Sequence, residues 1–291
     1  MKRIVLNTTS SGLEEMNVPH EVEFIRFNIH INNVHFIDGV NINAERLNRI
    51  MLDNPASPSS TTPASVEEIL AMFGDLEKRG FTDIFVVTIA SAISESYANI
   101  TTTKSLFGGK LNIFIYDTKA VTFIEAALAF EADQLVKQGK SFEEVAWRLD
   151  QIRQNSTAYI TVSRLDYLIA NKKIAAPAGF FANLFDIKPV IELSQSGELV
   201  AIKNIRKIEK SLEYIAEHFF ELRNQGAFIY AISCGDTQLT AYFVNLLRER
   251  HGIRDLPILP GASISTANHG PNMVGMGAFF GERPLIFKHL C

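Results

Sequence analysis

The chain is poor in the features that usually announce chemistry. It has two cysteines, Cys234 and Cys291, in 291 residues, so neither a disulfide framework nor a thiolate metal cluster follows from their spacing. It lacks G-x-x-x-x-G-K-[ST] and, after the first strand, G-x-G-x-x-G, the glycine loops that cradle phosphates and dinucleotides. The G-x-S-x-G nucleophile elbow is absent. So is H-E-x-x-H, and His30, His35, His251, His269 and His289 have no ligand-pair spacing. These gaps move weight from nucleotide hydrolysis, hydride transfer, serine hydrolysis and zinc catalysis toward binding, with no metal and no cofactor. Unbalanced charge is missing as well. The net charge is −4 and the basic residues are scattered, which leaves no footprint for nucleic acid. No apolar run reaches the ~20 residues that span a bilayer, and MKRIVLNTTSS breaks its apolar run too early for a signal peptide. The expectation is a reduced, cytoplasmic protein with no membrane span and no nucleic-acid partner.

What the chain does have is apolar mass and hydroxyls. Hydrophobic residues make up 47% of it, with 21 Phe against one Trp, enough for a large core over a length that fits two domains. Four loops carry hydroxyls: NTTSS at 7–11, SPSSTTPAS at 57–65, SAISES at 91–96, and the stretch from Ser263 through Thr266 into Asn268-His269-Gly270-Pro271. The last runs into a greasy segment punctuated by Gly275, Gly277 and Gly281, with Phe279-Phe280 inside it. Polar loops beside an apolar segment suit one composite pocket that grips a small polar head next to an apolar body. Ser and Thr donate hydrogen bonds without bringing charge, though before helices they serve most often as plain N-caps. Ser65 reads as a cap. Ser91 is the better ligand candidate because it follows a buried strand, and strand C-terminal ends form the crevice of open α/β sheets. His269, beside Asn268, reads either as a solvated loop residue or as a proton carrier and anion partner.

The pattern along the chain predicts a strand over 3–7, an alternating stretch over 22–31, and an Asn32-Asn33 turn into a strand over 34–37. Asn43 is positioned to cap a short helix carrying Leu47, Ile50 and Met51. The segment 53–64 reads as a loop. Capping boxes at Ser65-Val66-Glu67-Glu68 and Ser141-Phe142-Glu143-Glu144 open two helices. Between them come strands over 83–89 and 111–117 and helices over about 94–106 and 119–138. This β-α-β-α order predicts a parallel α/β sheet with flanking helices. After residue 155 the pattern changes. It has a strand over 157–162, two short helices, a hairpin of strands 187–194 and 198–204 turning at Gln195-Ser196-Gly197, then helices near 207–224 and 236–250. Strands over 228–234, near 257–260 and over 285–288 complete it. This half predicts a mixed sheet with helices. The predicted domains are 1–155 and 156–291, with a ligand site between them.

With these residues in hand, the chain resembles the DegV family of bacterial fatty-acid-binding proteins over nearly its whole length. Ile4-Val5-Leu6-Asn7-Thr8-Thr9 is similar to the family's I-V-T-D-S-T, and Asp38-Gly39-Val40-Asn41-Ile42 to D-G-x-x-I. Ser60-Thr61-Thr62-Pro63-Ala64-Ser65 resembles T-T-S-Q-P-S. The run from Ile89 to Tyr97 echoes L-S-S-x-x-S-G-T-Y, and Tyr116-Asp117-Thr118-Lys119 stands for I-D-S-K. Leu165 through Ala175, then Phe185-Asp186-Ile187-Lys188-Pro189, resembles the middle motif, and Thr266 through Gly275 resembles G-T-H-x-G-P-G-x-x-G. The departures are Asn7 for Asp, Glu95 for Gly, Lys173 for Arg, Ala175 for Ser, and Asn268 for His with His269 displaced by one.

The resemblance implies a carrier, not an enzyme. One long-chain fatty acid would lie between two α/β domains, its carboxylate on hydroxyls and its acyl chain in an apolar tunnel. It implies Thr61 or Thr62 and Ser91 as carboxylate partners, with Asn268 and His269 beside them. It implies Phe180, Phe181, Leu184, Phe185, Met273, Met276 and Phe279 as tunnel wall, against ordinary core packing for each. A fatty acid kinase is the partner it implies. Two other readings stay open: an enzyme or enzyme subunit handling a small polyol or phosphorylated substrate, and an interaction module without a ligand. A polar pocket formed by Asn7, Asn268 and His269 would favour the enzyme; a long apolar tunnel would favour the carrier.

Overall fold

The fold was analysed in a computed structural model that describes residues 1–175, 187–235 and 237–290. Its first half is built on a parallel sheet. Strands β1 (Arg3–Asn7), β2 (Glu23–Phe24), β6 (Asp83–Thr88) and β7 (Asn112–Asp117) lie in the order β2-β1-β6-β7, all parallel. Ile4 to Leu6 and Ile84 to Val87 are buried on both faces, which is why they read as continuous apolar runs. A small antiparallel sheet, β4-β3-β5, stands beside it, formed by β3 (Asn28–Ile31), β4 (Val34–Ile37) and β5 (Ser59–Thr62). Asn32 and Asn33 both take positive φ at its turn, as a two-residue hairpin requires. β5 corrects the reading of 53–64 as a loop. Its Ser/Thr composition hides a strand that exists because β3 offers it a partner.

Helices α1 (Ala44–Asp53), α2 (Val66–Lys78), α3 (Ser96–Leu106), α4 (Thr122–Lys137) and α5 (Phe142–Gln154) complete this half. Both capping boxes form, at Ser65 with Glu68 and at Ser141 with Glu144. α4 is buried almost all round, and one core cluster joins it to residues of both large sheets, from Val5 and Phe85 to Tyr230 and Phe279. A helix buried on every side belongs inside a fold, and the buried Glu125, Glu131 and Asp133 of α4 take partners there in Thr9, Arg148 and Lys137.

The strands after Asn155 form a six-stranded mixed sheet in the order β10-β9-β8-β13-β11-β12. They are β8 (Ser156–Val162), β9 (Val190–Leu193), β10 (Leu199–Lys203), β11 (Phe228–Cys234), β12 (Ile258–Pro260) and β13 (Met273–Phe279). The helices α6 (Asp166–Ala170), α7 (Ile208–Asn224), α8 (Thr237–His251) and α9 (Ser263–His269) belong to the same half. β13 is central, antiparallel to β8 and to β11. Its glycines admit neighbours. A Cβ on Gly277 would lie 2.1 Å from the Tyr230 hydroxyl on β11.

The predicted strand over 285–288 is instead a 3-10 turn, Leu285–Lys288. Pro284 precedes it, the Leu285 N–H donates to Glu131 at 2.7 Å, and Phe287 packs edge-on against Phe123 at 5.3 Å. A helix carboxylate and an aromatic cluster claim this segment before any strand can. Met273–Phe279 is the last strand among the described residues.

Candidate functional site

A cavity lies where the two halves meet. From the first half, Phe27, Thr61 on β5, Ile89 and Ile93 after β6, and Val121 before α4 line it. From the second come Ala158 and Ile160 on β8, Ile191 and Leu193 on β9, Leu199, Met273 and one side of α9. Residues two apart on a strand face the same way, so each strand presents a pair of apolar side chains. The space measures about 740 Å³, counting what opens to solvent. Gly197, in the β9–β10 turn, brings the two halves together at this level. It holds φ +92°, and a Cβ there would sit 2.9 Å from Ala90 and 3.0 Å from Lys119.

One part of the wall is polar. Asn268 Nδ2 donates to Thr61 Oγ1 at 3.1 Å and to the Ile264 carbonyl at 2.9 Å. The second bond fixes the amide orientation, because a carbonyl only accepts. His269 Nδ1 sits 2.6 Å from the Gly270 carbonyl and therefore donates to it. Burial pushes the imidazole down to about 4, against weaker opposing hydrogen bonds, so the ring is neutral at pH 7. Asn268 Oδ1 and His269 Nε2 are both buried without a hydrogen-bond partner. Ser94, Thr122, Ser265 and Lys173 also line the cavity. Lys173 Nζ donates to the Ile93 carbonyl. Burial lowers its pKa, while Glu95 works to raise it.

The structure brings Thr61, Asn268, His269 and Met273 together on this cavity and leaves Thr62, Ser91, Met276 and Phe279 elsewhere. Thr62, next along β5, turns to the opposite face, exposed, with its hydroxyl 3.3 Å from His30 Nε2. Ser91 is exposed. Its N–H donates to Asp117 Oδ1 at 3.1 Å and its hydroxyl to Asp117 Oδ2. Asp117 at the end of β7 thus holds Ser91, and Ser94 lines the cavity instead. Phe279 stacks on Tyr230 at 5.5 Å inside the aromatic core, and Met276 packs in the cluster on the α7 side of the sheet. Phe180, Phe181, Leu184 and Phe185 lie outside the described residues. Lys173 and Ser94 are wall residues that the sequence reading did not select. Both carried a signal all the same: Ser94 stands in the hydroxyl loop 91–96, and Lys173 stands where the resembling motif has Arg.

The expected loop over 263–269 is the helix α9, and it ties the C-terminal segment to the first half at both ends. The Ser263 hydroxyl and, at 3.3 Å, the Ile264 N–H donate to Asp38, while Asn268 reaches Thr61. The loop at 7–11 is spent on a neighbouring buried network rather than on the cavity. Asn7 donates to the Thr9 carbonyl and to Ser11, and Thr9 donates to Glu125 on α4 at 2.7 Å. Burial is the main cause that pushes the Glu125 carboxyl up to about 8, against the Thr9 and Asn7 bonds.

A family model described as "Uncharacterised protein, DegV family" matches residues 2–281. The chain belongs to the DegV family. A DegV domain-containing protein of Clostridium acetobutylicum is 24% identical over 282 residues, covering 94% of this chain and 96% of that one. A solved DegV family protein of Streptococcus agalactiae, described as fatty acid binding, superposes with a TM-score of 0.81 at 24% identity, over 97% of this chain and all of that one. A stearic-acid-binding protein of Eubacterium ventriosum superposes at 0.76 with 22% identity, over 96% and 98%. The two-part DegV fold of this chain is shared with both structures. No helix among the described residues is long and apolar enough to cross a membrane.

Proposed function

We propose that this DegV protein binds one long-chain fatty acid between its halves. The acyl chain lies along the apolar side chains of β8, β9 and Met273, and the carboxyl head lies at Thr61, Ser94, Asn268 and His269. The observation that carries this reading is the cavity between the halves, mostly apolar with polar groups in part of its wall. Burial of the acyl chain supplies about 0.8 kcal/mol per CH₂. The fatty-acid-binding relatives with the same fold support the ligand class. Asn7, which the polyol-enzyme reading needed in the wall, is occupied with Thr9 and Ser11 instead.

The protein is on this reading a cytoplasmic carrier without a reaction of its own, with its domain boundary at 155/156 and a fatty acid kinase as the partner that would use its cargo. The test is mass spectrometry of the organic extract from protein purified without added lipid. Stoichiometric fatty acid is expected and would name the acyl chain. A clean extract, with no uptake of added stearate or oleate by native mass spectrometry, would reject the reading. Acyl phosphate formed when the loaded protein meets a bacterial fatty acid kinase and ATP tests the partner separately.

A further inference from the structure

We propose that the cavity holds its fatty acid as the neutral carboxylic acid, whose O–H donates to Nε2 of His269 while its carbonyl oxygen accepts from the Thr61 hydroxyl. The inference rests on the fatty-acid reading of the site and goes beyond it by assigning the proton.

The bond from His269 Nδ1 to the Gly270 carbonyl leaves Nε2 as a bare acceptor, and the bond from Asn268 Nδ2 to the Ile264 carbonyl leaves Oδ1 as another. Both are buried and unpartnered in residues that line the cavity. An ionised carboxylate has only lone pairs to offer, so it leaves both of these acceptors unsatisfied and a charge desolvated. The neutral acid brings one hydrogen, which satisfies His269 Nε2 and leaves Asn268 Oδ1 as the one acceptor of the pair still open. The donor it needs in return is present, because Thr61 Oγ1 already accepts from Asn268 and keeps its own proton to give.

The charged groups around the site do not change this. Lys173 is the one charged side chain in the wall among the described residues, and it is bonded to the Ile93 carbonyl with Glu95 nearby. Three elements pack on α9. α1 carries Glu45, Arg46, Arg49 and Asp53, all exposed, and α6 carries exposed Asp166 and buried Tyr167. β5 has no ionisable residue, and the nearby His30 sits on Thr62, outside the cavity. Asp38 accepts from Ser263 and Ile264 at the far end of α9. Burial keeps His269 itself unprotonated at neutral pH.

Uptake then consumes one proton: protein plus carboxylate plus H⁺ gives the complex. Above the free acid's own pKa, apparent affinity should fall about tenfold for each unit of pH. The direct test is carbon-13 NMR of the intact protein loaded with stearate labelled at C1. A bound carboxyl resonance at the protonated position, unmoved between pH 6 and pH 8, is expected. A resonance at the ionised position overturns the inference and leaves fatty-acid binding intact. Absence of any bound resonance removes the fatty-acid reading and this inference together. Competition by analogues of equal length gives a second readout. Octadecanol should displace stearate at pH 7, and octadecyl sulfonate should be at least about tenfold weaker; the reverse ranking overturns the assignment.

Discussion

Asn268 and Thr61 stand 207 residues apart and are joined by one hydrogen bond, Nδ2 to Oγ1 at 3.1 Å. The bond links α9 of the second half to β5 of the first within the cavity wall. Asn268→Ala removes it, along with the bond to the Ile264 carbonyl. A buried hydrogen bond is worth about 1 kcal/mol, so ligand retention should weaken about fivefold, read by displacement titration with a fluorescent fatty acid. Unchanged affinity would mean that the head group lies elsewhere.

Glu125 makes stability depend on pH in an unusual direction. Its carboxyl is raised in the fold from the ordinary 4.5 to about 8, chiefly by burial. A raised carboxyl favours the neutral form, so its contribution is fully present below pH 4.5 and is lost as pH climbs through about 8. Glu125→Gln keeps the shape and removes the titration. Its Tm relative to the parent should be nearly level at pH 5 and increasingly favourable toward pH 9. A Tm difference that stays flat over that range would show that Glu125 is ionised throughout.

Phe287 closes an aromatic cluster with Phe123, Phe228 and Phe279, with ring centroids 4.4–5.8 Å away. Phe287→Ala should cost about 3–5 kcal/mol in a denaturant titration. A loss below about 1 kcal/mol would place the 3-10 turn outside the cooperative core.

The Ser141 hydroxyl accepts from the Glu144 N–H at 3.2 Å, and Glu144 returns a bond to the Ser141 N–H at 2.8 Å. Ser141→Ala should destabilise by about 1 kcal/mol with no change in ligand affinity, because α5 does not reach the cavity. An affinity change would show coupling between α5 and the site.

Local signals were legible wherever the cause was local. Ser65, Ser141 and Asn43 cap the helices their spacing announces, and the Asn32-Asn33 turn forms the hairpin it implies. Pairing that depends on distant partners was not legible. Met273–Phe279 is buried on both faces and carries Gly275 and Gly277, so no alternation marks it as the sheet's centre. Serine and threonine on β5 look like loop until β3 supplies the ladder. The site divides the same way. Thr61, Asn268, His269 and Met273 sit in distinctive motifs. The exchange of Ser91 for Ser94 turns on where Asp117 points, which no neighbouring residue encodes.

The central position of β13 sets a schedule for synthesis. Its partners β8 and β11 are made long before it and present open strand edges until it arrives. Neither the second sheet nor the polar wall beside Met273 can close while the ribosome is still short of residue 279. Closure of this sheet therefore waits for β13. A nascent chain stalled earlier would offer unpaired edges to chaperones and to other chains, and cargo could be loaded only onto a chain synthesised past β13.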